Sequence, residues 1–193
     1  MKLTELFEET DPEANRMPML YLDMDGVQAD FFGHWAAEHG VTHYKAIPHP
    51  GKAIDELAVS DSNRVYKFFR DLNPLPGGLK IISWLHKNKI PFTVLSAPLR
   101  GPYSGTSIKA KKDWLDQYNP GTSNDAIFTS EKFRHAKTDG RPNVLVDDYG
   151  KYLNAWKEAG GIAVKHENKA TEQTIQALEE IYAPYIGKKN GQA

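Results

Sequence analysis

Two aspartates stand two residues apart in the run "YLDMDGV", at positions 23 and 25, after an apolar stretch and immediately before Gly26. Alternate side chains of an extended chain share a face, so Asp23 and Asp25 point the same way as far as strand geometry persists. Carboxylates that close repel one another unless a cation lies between them. Gly26 can take a positive φ, which lets the chain turn sharply after the pair. The stretch reads as built to hold a charge. A second acidic pair, Asp147 and Asp148, closes "NVLVDD"; Ser96 closes "FTVLS"; Lys132 follows "AIFT", with Lys137 as a competitor. Each alone has an ordinary explanation, since strand-end acids and serines commonly cap turns and helices and a lysine is usually solvated. Packing does not readily explain all four at once.

Positioning them requires a sheet. Short apolar runs at 19–22, 90–96, 126–129, 143–148 and 161–166 read as strands, and helical spacing lies between them. "GLKIISWLHK" places Leu79, Ile82 and Leu85 on one face, "IKAKKDWLDQY" does so with Ile108, Leu115 and Tyr118, and "TEQTIQALEEIY" with Ile175, Leu178 and Ile181. Strands alternating with helices predict an α/β fold, a parallel sheet flanked by helices, whose site lies beyond the carboxyl ends of the strands. About fifty residues after the first strand break this rhythm, too many for a simple loop. "DFFGHWAAEHG" and "SNRVYKFFRDL" look helical there and "IPHPGK" looks like a loop. The expected organisation is an N-terminal extension (1–18), a core (19–28 and 76–186), a small helical cap (29–75) and a flexible tail (187–193).

Composition excludes several classes. The 193 residues suffice for one good core, 40% hydrophobic and 25% charged content is ordinary for a soluble globular protein, and a net charge of −1 gives no strong nucleic-acid signal. The absence of cysteine excludes disulfides and thiolate metal sites. Neither a signal-peptide core nor a membrane-length apolar run is present, so a cytoplasmic setting is expected. Leu3, Leu6 and Phe7 share one side of the acidic "LTELFEETDPE", which reads as a docking handle or as a frayed or packed helix.

"DMDGV", the strand-end Ser96, a following lysine and "LVDD", in that order, resemble the four motifs of the haloacid dehalogenase-like (HAD) phosphatases, from about residue 19 to about residue 166. Within them, "DMDGVQADF", "FFRDLNPLPGG" and "SAPLR…KKDW" are similar to the 5'(3')-deoxyribonucleotidases. The resemblance implies a Rossmann-like HAD fold and Mg²⁺-dependent hydrolysis of a small phosphate monoester, a nucleotide by this reading. Asp23 would be the nucleophile and Asp25 the general acid and base. Asp23, the backbone carbonyl of Asp25 and one or both of Asp147 and Asp148 would hold Mg²⁺. Ser96, the amide of Ala97, Lys132 (or Lys137) and Arg100 would face phosphate or substrate. Phe31, Phe32, Trp35, Tyr66 and Phe69 are candidates for contact with a base. His166 reads as a polar surface residue without a role. Ala97 stands where the family has a second hydroxyl, and the span from Lys132 to Asp147 is longer than the family pattern. A phosphatase of sugar phosphates or of nucleic-acid 3' ends, and a non-catalytic scaffold on the same fold, are the alternatives. The sequence leaves the oligomeric state open, a homodimer being one option.

Overall fold

The apolar run before Asp23 becomes the central strand of a parallel sheet. In this computed structural model, which describes residues 16–186, the elements in chain order are β1 (Leu20–Leu22), α1 (Phe31–Glu38), α2 (Pro50–Ala58), α3 (Ser62–Arg70), α4 (Pro76–Lys87), β2 (Phe92–Ser96), α5 (Ser104–Tyr118), β3 (Ile127–Phe128), β4 (Lys137–Thr138), β5 (Arg141–Pro142), β6 (Val144–Asp147), α6 (Gly150–Glu158), β7 (Ile162–Lys165) and α7 (Thr171–Ile186). The main sheet runs β3-β2-β1-β6-β7, all parallel, and β4 and β5 form a separate antiparallel hairpin. The expected N-terminal handle and the tail at 187–193 lie outside the described residues. No described helix is long and apolar enough to cross a membrane.

Alternation along β1 divides the core. Leu20 and Leu22 pack with Ile81 and Leu85 of α4 and Leu178 and Tyr182 of α7, while Tyr21 faces Leu145, Leu153 and Trp156. Fully burying each such aliphatic side chain is worth about 1.5–3 kcal/mol, and this burial anchors an edge crowded with charge. Leu22 lies level with Val94 of β2 and Val146 of β6. The next step along β1 and β6 therefore sets Asp23 beside Asp147, and Asp23 N donates to Val146 O at 2.9 Å.

Two local expectations are corrected, and one helix had no named segment. Leu79 is 38% exposed, and Gly78, Ile81, Ile82 and Leu85 form the buried stripe of α4; the face is rotated because α4 packs on the turn after β1 as well as on the sheet. "IPHPGK" is not all loop: Pro50 opens α2, where a fixed φ and a missing N–H suit the first helical position, and Leu57 buries against the core. The helix α6 has no counterpart in the sequence reading, because only Leu153 and Trp156 of its nine residues are buried.

The helical excursion leaves and rejoins the core side by side. Ala29 bridges Pro74, Asp30 N donates to Asn73 O at 2.8 Å, and Leu75 N donates to Gln28 O at 2.8 Å. Asp30 caps α1 through Gly33 N, Asp61 caps α3 through Arg64 N, and α3 packs against α5.

Candidate active site

The turn after β1 is built from backbone bonds. Met24 O accepts from Gln28 N (2.8 Å) and Ala29 N (2.9 Å), and Gly26 N donates to Ala29 O (2.8 Å). Gly26 has φ +79°, and a Cβ there would lie 2.5 Å from Asp148 Oδ2, so the missing side chain is the space the second acidic pair occupies. Gly78 serves the same turn from α4, where a Cβ would meet Val27 O at 2.2 Å. Gln28 Nε2 donates to Asp23 O (2.9 Å), and Gln28 Oε1 accepts from Asn119 Nδ2 (3.0 Å). On the far side, Asn168 Nδ2 donates to Gly26 O (3.0 Å). That bond orients the amide, so Asn168 Oδ1 must accept from His166 Nε2 (3.1 Å), which leaves His166 Nδ1 to accept from Thr174 Oγ1 (3.0 Å). His166 is therefore a buried structural residue and not a surface one; burial lowers its pKa and favours this neutral form.

Asp23, Asp147 and Asp148 each place a carboxylate oxygen within 4.8 Å of the others. Lys132, 1% exposed, sits between two of them, its Nζ 2.7 Å from Asp23 Oδ1 and 2.6 Å from Asp147 Oδ2, above the Tyr152 ring at 4.6 Å. Burial would lower the ammonium's pKa, but Asp23 and Asp147 outweigh it and raise it. Burial, then the charge of Asp23, pushes Asp147 up to about 7. Burial, then Asp23 and Asp147, pushes Asp148 up to about 8. Asp25 is also raised by burial, against the opposing charge of Lys111.

Lys111 was missed in the sequence. It stands on α5, fully buried, with its Nζ 2.6 Å from Asp25 Oδ2, 3.0 Å from Ser96 Oγ and 2.7 Å from Ala97 O. The available signal was its position on the stripe Ser107, Ala110, Trp114 and Leu115, where a lysine has no solvated reason to be. Ser96 and Ala97 thus border the cluster, with the carbonyl of Ala97 already engaged. Two expected phosphate contacts lie elsewhere. Lys137 is exposed on β4 and reaches toward Gly160, because the hairpin carries it away from the strand ends. Arg100, 70% exposed at its side chain, pairs with Asp55 of α2 at 2.9 Å. Of the aromatics, Trp35 and Phe69 are buried core residues. Phe31 packs on Phe32, Trp35, Phe68 and Phe69, and Tyr66 donates to Asp113 Oδ2 at 2.6 Å. Phe31, Phe32 and Tyr66 keep part of their surface exposed.

The residues fit a divalent cation. Four carboxylates (Asp23, Asp25, Asp147, Asp148) face two buried ammoniums (Lys111, Lys132), which leaves two negative charges uncompensated when all are ionised. Asp23 Oδ1 is buried, and apart from the ion pair with Lys132 at 2.7 Å it has no hydrogen-bond partner. Hard oxygen donors with unmatched charge suit Mg²⁺-like ions.

Residues 16–182 match the family model described as 5' nucleotidase, deoxy (pyrimidine), cytosolic type C protein. No curated protein matches. Among solved structures, L-2-haloacid dehalogenase from Xanthobacter autotrophicus is similar at 10% identity and TM-score 0.45, over 87% of this chain and 88% of that one. A HAD family hydrolase from Deinococcus radiodurans with bound phosphate and sodium is similar at 13% identity and TM-score 0.44, over 86% and 97%. With nearly the whole described chain under one family model, the protein belongs to the type C deoxynucleotidase family of the HAD superfamily and is a phosphoric monoester hydrolase.

Proposed function

We propose that the protein is a 5'(3')-deoxyribonucleotidase that hydrolyses nucleoside monophosphates through an aspartyl-phosphate on Asp23. The observation that carries this reading is the convergence of Asp23, Asp25, Ser96, Lys132, Asp147 and Asp148 at one sheet edge. An Asp23 oxygen attacks phosphorus while Asp25 protonates the leaving oxygen; Asp25 then takes a proton from the water that releases phosphate. Lys132 neutralises charge around the nucleophile, and Ser96 and the amide of Ala97 hold phosphate oxygens. Asp23, Asp147 and Asp148, with the backbone carbonyl of Asp25, would hold Mg²⁺. When bound, the ion screens the nucleophile from the phosphate and stabilises charge on the transferred group.

The family's description supports a deoxynucleotide, pyrimidine substrate and a cytosolic setting. Residues 29–75 act as the substrate-selecting cap on a core of 19–28 and 76–186, joined by the paired neck at Ala29 and Pro74. With Trp35 and Phe69 buried, base contact falls to Phe31, Phe32 and Tyr66. The test is a panel of deoxynucleotides, ribonucleotides and sugar phosphates with Mg²⁺, run on the wild type and Asp23→Asn. Deoxynucleotides should give the highest kcat/KM, and Asp23→Asn should lose turnover by orders of magnitude while staying folded. A sugar phosphate leading the panel would overturn the substrate assignment, and near-normal turnover by Asp23→Asn would overturn the mechanism.

A further inference from the structure

Lys111 has no part in the steps above, yet it is fully buried beside them. An ammonium has three hydrogens and no acceptor. Those of Lys111 go to Asp25 Oδ2 (2.6 Å), Ser96 Oγ (3.0 Å) and Ala97 O (2.7 Å), so none remains for a ligand. The Phe69 ring, 5.0 Å from Nζ, backs the ammonium from the side of α3.

We infer that Lys111 is a positioning residue that holds Asp25 by Oδ2, so that Asp25 Oδ1 is the oxygen that carries the proton to the leaving group. Lysine cannot accept, so Ser96 Oγ accepts from it; the hydroxyl keeps its own hydrogen for a phosphate oxygen whether or not Lys111 is present. This inference rests on the reading of Asp25 as general acid. Its second support is that Asp25 Oδ1 is buried without a hydrogen-bond partner, a rare condition that calls for a reason. In the first step a bond forms from Asp23 to phosphorus, the bond from phosphorus to the leaving oxygen breaks, and the proton on Asp25 Oδ1 passes to that oxygen. In the second, water bonds to phosphorus, its proton returns to Asp25 Oδ1, and the bond from Asp23 to phosphorus breaks. Lys111 gives up no proton in either.

The experiment compares Lys111→Met, Asp25→Asn and the double variant, in the full chain with Mg²⁺, on alkyl phosphates and on aryl phosphates of good leaving ability. Lys111→Met should lose roughly 10²–10⁴-fold in kcat/KM on alkyl esters, the usual contribution of a general acid, and less than about tenfold on activated aryl esters. The double variant should be within about threefold of Asp25→Asn, because residues acting as a unit do not add. A merely structural lysine would slow both ester classes alike. If Lys111→Met does not fold alone, the double variant, which removes both charges, carries the same comparison with Asp25→Asn. Equal loss on both ester classes by Lys111→Met, or a double variant much slower than Asp25→Asn, overturns the inference. If Asp25→Asn itself shows no difference between ester classes, the general-acid reading falls and the inference with it.

Discussion

Alanine at position 26 would meet two obstacles of different kinds. The first is conformational: φ of +79° costs a non-glycine residue about 1–2 kcal/mol. The second is steric, because the new Cβ would sit 2.5 Å from Asp148 Oδ2 and 2.7 Å from its carboxyl carbon. Asp148 must then rotate away, and the cluster loses one of its three carboxylates. Without metal that rotation is cheap, since it takes the carboxyl out of the position where burial, then Asp23 and Asp147, raises it to about 8. Gly26→Ala in chelator should therefore lose only the conformational part, roughly 2–8 °C in Tm for a chain of this size. In Mg²⁺ the wild type should gain the stabilisation of a bound ligand and the variant should not, so the gap should widen. Thermal melts of Gly26→Ala, Asp148→Ala and the double variant, with chelator and with Mg²⁺, check this. The two single variants should lose the same Mg²⁺-dependent rise in Tm, and the double should lose no more. A Gly26→Ala protein that keeps the full rise would refute the link between the turn and Asp148.

Asp147 at about 7 and Asp148 at about 8 lie above the usual carboxylate value of 3.8. The folded protein thus binds more protons than the unfolded chain between about 4 and 8, and its stability falls as pH rises through that window. Melts in chelator should show this decline, shallower in Asp148→Asn and flattened by Mg²⁺; a chelated wild type as stable at pH 8 as at pH 5 would count against the cluster. Lys132→Met leaves Asp23 and Asp147 without their buried partner and should cost about 3–5 kcal/mol in denaturant unfolding. Lys137→Met, on the exposed hairpin, should change stability and turnover little, and the reverse ranking would exchange the two lysines' roles.

The five strands of the main sheet were legible because each lies in a short apolar run, and the acids because each pair closes such a run; the β4-β5 hairpin, Lys137–Thr138 with Arg141–Pro142, has no apolar run and was not read. Burial on both faces is what makes β1 and β6 almost uniformly apolar. Lys111 was not legible because its neighbours Lys109 and Lys112 make "KAKK" resemble a solvated face. The stripe it shares with Ser107, Ala110, Trp114 and Leu115 sets the middle lysine apart, and the packing of α5 beneath Asp25 gives it its partner. His166 was misread for a related reason: its partners Asn168 and Thr174 belong to the following turn and helix, contacts that a strand-end position does not announce. The cap aromatics were visible as a group, but which rings face inward depends on how α1 and α3 pack, and Trp35 and Phe69 went to the core.

The bond from Asn168 to Gly26 spans 142 residues of sequence. It makes the segment after β7 a mechanical part of the turn after β1. A fragment could keep Asp23, Asp25, Asp147, Asp148 and both buried lysines, stop short of Asn168, and still lose the brace on the turn that presents Asp23 and Asp25. A change of length between β7 and α7, which alignment would score as loop drift, would act on the turn after β1 as directly as a substitution at Val27.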